Sequence, residues 1–216
     1  MNIAVILSGC GNRDGSELQE TLSLLVAIDR RGWRYQCFAP EGQFTVVSHL
    51  DGNEHGEKRD LLTESARIAR GDIKPLTQYR PENFDALALP GGMGAARNLS
   101  TYAFDGVNMT VRPDVEQAIL STYKLFKPIL AMCIAPMVLA KVLGKEGIKL
   151  TLGMENSASK IAAQLGAKVQ YCDVVEVCVD SEHHIYTTPA YMVGTRISEI
   201  FAGAECLITA LENDCR

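Results

Sequence analysis

Five short apolar runs, IAVILS at 3–8, YQCFAP at 35–40, ALALPGG at 86–92, ILAMC at 129–133 and KLTLG at 149–153, recur along the chain with longer amphipathic stretches between them. A strand followed by an amphipathic helix that returns to the next strand makes a βα unit, so this alternation predicts an α/β sandwich built on a mostly parallel sheet. The first helix is predicted over 17–31, with Ser16 as N-cap, Glu17 in the first turn, Leu18, Leu22, Leu25, Val26 and Ile28 on one face, and Gly32 as the stop. Further helices are expected from Asp60 to Gly71, from the RPDVEQ start near Pro113, and from just after Cys133 to Gly144. VVEVCVDSEHHIYTT at 174–188 alternates and turns in a charged patch, which predicts an antiparallel hairpin at one edge of the sheet. TVVSHLDGNEHGEKR at 45–59 has the same pattern. No repeat, low-complexity tract or long linker interrupts residues 1–216, so a single domain is expected.

Bulk properties exclude several classes of function. With 47% hydrophobic residues the chain can bury a full core, and a net charge of −5 without a basic run argues against nucleic acid or an anionic membrane surface as partner. The apolar stretches have the length of strands and core helices, and Met1-Asn2-Ile3 leads into the first of them without a basic leader, so a soluble cytoplasmic protein is expected. The seven cysteines are an odd number in a chain too long to need staples, which predicts a reducing compartment and mostly inert thiols. No metal site is expected: there is no CxxC or HExxH, and His183 and His184 read as a solvated hairpin tip. No cofactor is expected either. Gly9 and Gly11 are followed by Gly15, whereas a dinucleotide fingerprint puts its third glycine at position 14, and there is no phosphate-binding GxxxxGK[ST].

In an open α/β sheet ligands collect at the carboxyl ends of the strands, which singles out three segments. SGCGNRDGSE at 8–17 is a glycine loop that brings Glu17 toward the sheet edge; on its own, Glu17 reads first as a first-turn acid that complements the helix dipole. LPGGMGAARN at 89–98 leaves the Gly91 and Gly92 amides uncovered, as an oxyanion site or a plain tight turn would. Cys133, at the junction of the ILAM strand and the IAPMVLAKVLG helix, sits where a nucleophile elbow lifts one side chain above a sheet, although free cysteine is also a common core filler. Cys10 lies near the same edge and is a candidate second thiol. The 98–114 segment is longer than ordinary connections, as expected of a cover over the site or a subunit contact.

Taken together, VILSGCGNRDGSE, LPGGMGAARNLS, MCIAP and TTPAYM resemble, nearly end to end, the ElbB-type proteins, isoprenoid-biosynthesis proteins with amidotransferase-like domains. These are a branch of the ThiJ/PfpI superfamily, related to class I glutamine amidotransferases. The resemblance implies a flavodoxin-like three-layer sandwich with Cys133 as nucleophile and Glu17 as the acid that hydrogen-bonds its sulfur. It also implies that Gly91, Gly92 and Ile134 supply oxyanion amides, and that the chain forms a homodimer. The activity it implies is a glutathione-independent glyoxalase acting on a small aldehyde or dicarbonyl, glyoxal to glycolate. Two departures count against other superfamily activities. Ile134 stands where PfpI-type proteases carry histidine, and TTPAYM lacks the histidine and glutamate of true glutaminases. A redox-sensing protein with an oxidisable elbow cysteine, or an amidotransferase-like accessory subunit that delivers ammonia, are the alternative readings.

Overall fold

The computed structural model describes residues 1–214, so Cys215 lies outside the described residues. Its strands are β1 (Asn2–Ile6), β2 (Arg34–Ala39), β3 (Gln43–Val47), β4 (Glu54–Asp60), β5 (Ile73–Pro75), β6 (Ala86–Leu89), β7 (Ile129–Met132), β8 (Lys149–Leu150), β9 (Lys168–Val169), β10 (Cys178–Asp180) and β11 (Ile185–Thr188). The helices are α1 (Leu18–Asp29), α2 (Leu61–Ile68), α3 (Met93–Arg97), α4 (Tyr102–Asp105), α5 (Pro113–Lys124), α6 (Pro136–Leu143), α7 (Ser157–Gln164) and α8 (Ile197–Asp214).

Seven strands form one sheet in the order β10-β11-β7-β6-β1-β2-β5, parallel throughout except for the β10–β11 hairpin. This is the flavodoxin-like α/β sandwich, with α1 and α8 side by side over one face and α5 and α6 adjoining over the other. β6 and β7 read as uninterrupted apolar runs because a parallel strand covered on both faces has no solvent side, and every residue of both is buried. β1 has β2 on one side and β6 on the other, so the chain reverses its winding there and a crevice opens at the carboxyl ends of these strands. The loops after β1, β6, β7 and β11 all end at that rim.

Several expectations need correction. KLTLG does not enter the main sheet, because β11 already occupies the free edge of β7; β8 instead pairs with β9 in a separate two-stranded ribbon. The 45–59 hairpin also stands apart, as β3–β4. Ser16 does not cap α1: it is fully buried, with its Oγ accepting from the Ser8 amide at 2.9 Å and lying 3.1 Å from Ser8 Oγ. Glu17 is the cap, its Oε2 accepting from the Glu20 amide at 2.6 Å. The inner face of α1 is also different from the expected one. Leu18, Leu22 and Val26 are 40%, 49% and 41% exposed, and the helix turns Glu20, Leu24, Ala27 and Ile28 to the sheet. Finally, α8 and β5 fall where the sequence reading assigned no element.

Close backbone approach, rather than side-chain packing, holds the rim together. A Cβ on Gly94 would lie within 2.6 Å of Gly15 Cα and would collide with Ser8 Oγ, so α3 seats directly on the first glycine loop. Replacing a helical glycine by alanine normally gains about 1 kcal/mol of propensity, while overpacking costs about 1–3 kcal/mol. Gly94→Ala is therefore expected to lower Tm; a raised Tm in thermal denaturation would show that the loop and α3 are not in contact.

Candidate active site

β7 ends at Met132, and the next residue turns sharply: Cys133 has φ 59°, in the left-handed region that a non-glycine residue enters only at a cost. Its amide donates to Thr188 O at 3.0 Å, and the Ala135 amide donates to Met132 O at 3.0 Å, which closes the turn into α6. Pro136 opens that helix at a position where its missing N–H costs nothing. The sulfur is thereby lifted toward the rim, where the Gly92 and Ile134 amides donate to it.

The acid beside the sulfur is Glu20. Its carboxyl is fully buried and hydrogen-bonded to Cys133, with Oε2 accepting from the Gly91 amide at 3.0 Å and Oε1 from the Tyr191 amide at 3.3 Å. Glu17, expected in that place, sits one turn earlier and caps the helix. It remains close, half-buried on the same cavity with its carboxyl pushed upward chiefly by that burial. Gly91 likewise departs from expectation: its amide is already engaged by Glu20, which leaves Gly92 and Ile134 as the pair facing the sulfur. Both glycines are sterically required. A Cβ on Gly91 would collide with Cys133 Cβ and Glu20 Oε2, and one on Gly92 with Gly15 O and Glu17 N.

Burial pushes the Glu20 carboxyl up to about 8. Burial, reinforced by the neighbouring carboxyl, also raises the Cys133 thiol well above its ordinary value. An ionised sulfur at neutral pH, the state expected of a reactive elbow cysteine, is thus not the resting state. Two acids this close cannot both ionise, and the pair holds at most one negative charge until the solution is strongly alkaline. Two backbone amides support that charge on the sulfur and two on the carboxyl.

The sulfur opens into a cavity of about 680 Å³. Asn12, Glu17 and Gln19 line it from the first loop and α1, Met93 from α3, Tyr102 from α4, Ser157 and Ala158 from α7, and Tyr191 and Met192 from the turn after β11. The 98–114 segment thus contributes Tyr102 to one wall. Cys10 is not part of this site; it opens on a separate cavity of about 350 Å³ with Asp14 and His49, and its thiol is raised, first by burial. His183 is not solvated: it pairs with Asp180 at 2.9 Å and stacks on Tyr123 with centroids 6.3 Å apart, at the start of β11 and so at the far end of the strand from Cys133. No cluster of three or more His, Cys, Asp or Glu among the described residues is arranged to hold a metal.

Tyr102, Tyr191 and Glu20 were missed as site residues. For Glu20 a signal existed: it is four residues before Leu24 and eight before Ile28, so on a helix it shares their buried stripe.

No protein-family model matches the chain. The human glutamine amidotransferase-like class 1 domain-containing protein 3, mitochondrial, is 42% identical over 218 residues, covering 95% of this chain and 80% of the human protein. The crystal structure of an isoprenoid biosynthesis protein with amidotransferase-like domain from Ehrlichia chaffeensis matches with a TM-score of 0.93 and 33% identity, covering 100% of both chains. Glyoxalase III from Candida albicans matches with a TM-score of 0.60 and 14% identity over 97% of each chain, a likeness in fold alone. Among the described residues no helix is long and apolar enough to cross a membrane.

The buried carboxyl makes a definite statement about stability. Glu20 is raised in the folded state from an ordinary value of 4.5 to about 8, so its contribution is fully present below 4.5 and is lost as pH rises through about 8. The slope in that window is roughly 1.4 kcal/mol per pH unit. Glu20→Gln is expected to flatten the fall of Tm between about pH 5 and 8, and to move iodoacetamide alkylation of Cys133 to lower pH by removing a neighbouring negative charge. An unchanged Tm slope, or alkylation moved to higher pH, would contradict the raised pair.

Proposed function

The chain belongs to the family of ElbB-type, glutamine amidotransferase-like class 1 proteins, and from that premise we propose that it is a cofactor-independent glyoxalase-type enzyme with Cys133 as nucleophile. The observation that carries the proposal is the strained elbow that presents a sulfur to a buried carboxyl and to the two amides that donate to it, with no histidine lining the cavity. A glyoxalase III is among the proteins that share this fold.

The singly ionised pair is the reactive form. Glu20 takes the thiol proton as sulfur bonds to one aldehyde carbon of glyoxal, and the carbonyl electron pair becomes an alkoxide held by the Gly92 and Ile134 amides. The carboxyl returns the proton, giving a neutral hemithioacetal. Glu20 then removes the C–H proton from the same carbon, giving an enediolate with its charge on the neighbouring oxygen; the carboxyl returns that proton to the neighbouring carbon while the hydroxyl proton of the first carbon passes to the second oxygen. That shift oxidises one carbon and reduces the other, leaving a thioester of glycolate. Water opens it, and the sum is glyoxal plus water to glycolate and a proton.

The alternative readings find less support. A redox sensor relies on an accessible thiolate of low pKa, whereas Cys133 is buried and its thiol is raised. A glutaminase needs a histidine base, and the sequence supplies none near the elbow. The homodimer remains part of the proposal; the exposed Leu18, Leu22 and Val26 ridge on α1 gives it an apolar surface. So does a reducing compartment, for which the human relative's name points to mitochondria rather than the cytosol.

Cys133→Ala is expected to abolish conversion of glyoxal to glycolate with the fold retained, while Cys10→Ala keeps it. Glycolate formation by Cys133→Ala at the wild-type rate, measured by coupled assay, would overturn the reading. The wild-type rate is expected to rise with pH through about 8, as the pair loses its first proton.

A further inference from the structure

The cavity above Cys133 is far larger than a four-atom dicarbonyl needs, and the charges around it are one-sided. No lysine, arginine or histidine lines it; its ionisable groups besides the sulfur are the Glu17 and Glu20 carboxyls and the phenols of Tyr102 and Tyr191. Glu17, Glu20 and Glu199 each add to the rise of the Tyr191 phenol after burial, so three carboxyls act on that wall together. Of the cations on the adjoining segments, Lys160 pairs with Glu155 at 2.8 Å, the Arg196 amide donates to Glu199 at 3.0 Å, and the Arg13 guanidinium lies toward Gly52 in the β3–β4 turn. The rest of the wall combines the neutral polar groups of Asn12, Gln19 and Ser157 with an apolar stretch of Met93, Ile134, Ala158 and Met192.

Resting on the assignment of Cys133 as nucleophile, we propose that this site takes uncharged or cationic electrophiles bearing an apolar substituent and rejects anionic ones, with Glu17 at the rim setting the sign. An anion entering here would leave water for a region with no counter-charge and a carboxylate in its path, a penalty that a cation escapes. An apolar substituent lying along Met93, Ala158 and Met192 would displace water from both surfaces. The substrate class is therefore a 2-oxoaldehyde larger than glyoxal, with a neutral or amine-bearing side chain; carboxylated and phosphorylated carbonyls are excluded.

The test uses methanethiosulfonates, in which the thiolate attacks the sulfenyl sulfur and displaces methanesulfinate, so that charge selection at Cys133 is read without turnover. Labelling rates at Cys133 are resolved by peptide mass spectrometry for reagents ending in trimethylammonium, sulfonate, methyl and benzyl, each normalised to a free thiol. The cationic reagent is expected to exceed the anionic one by about tenfold at low salt, corresponding to 1.4 kcal/mol, with the ratio shrinking at high salt. The benzyl reagent is expected to outpace the methyl one. Glu17→Gln is expected to reduce the charge ratio several-fold and Glu17→Asp, which keeps both charge and helix cap, to preserve it. In the wild-type protein, a ratio near one or favouring the anion, insensitivity to salt, or a benzyl reagent no faster than methyl would overturn the proposal. Loss of the charge selection with glyoxal turnover intact would fail this inference alone, whereas absent turnover with selection intact would fail only the glyoxalase reading.

Discussion

A thiol and a carboxyl buried against each other at the rim of a sheet, and able to carry only one negative charge between them, are the constraint around which the rest of this structure is arranged. Withdrawing Glu20 entirely from water costs several kcal/mol unless it is protonated or fully hydrogen-bonded. The fold meets both conditions. Four amides converge on the pair, from Gly91 and Gly92 after β6, Ile134 after β7 and Tyr191 after β11. These strands lie side by side in the sheet, with β1 next to β6 leading through the glycine loop to the helix that carries Glu20. The strand order thus brings four segments, distant in sequence, to within hydrogen-bonding reach of one another at one sulfur and one carboxyl.

Such convergence leaves little room for side chains between the segments, which explains the glycines. The Glu17 amide donates to Gly91 O at 3.0 Å and the Gly94 amide to Gly15 O at 2.9 Å, so the first and second loops are laced main chain to main chain. The strained Cys133 backbone belongs to the same economy. A relaxed residue there would turn the side chain back among the apolar residues of the core, and the left-handed turn instead directs it at the amides. Local strain of this kind persists where the surroundings over-determine it.

Much of the fold was legible because parallel strands buried on both faces announce themselves as apolar runs, and because Pro113 and Pro136 start helices where expected. The elbow was legible for the same reason, since ILAM ends abruptly before a helix. The helix phase was not. Leu18, Leu22 and Val26 look like a core stripe but face outward, and that error hid Glu20, whose acidic side chain argued against burial while its spacing argued for it. The Gly91 amide could not be read from sequence at all, because its partner lies 71 residues away. Nor could the separation of Cys10 from Cys133, which depends on how the β3–β4 ribbon folds over the first loop. The α8 stripe of Ile200, Ala204, Leu207, Ile208 and Leu211 was present in the sequence but had no following strand to mark its end.

The state of the Glu20 carboxyl decides between this account and a conventional thiolate site. Infrared difference spectra of the wild-type protein against Glu20→Gln, recorded across the neutral range, isolate the carbonyl stretch of that one side chain. A protonated-carboxyl band present at pH 6 and lost as pH rises through about 8 is the expected result. A carboxylate signal already complete at pH 6 would mean that Glu20 is ionised in the resting protein, and the shared-charge description of the site would be wrong.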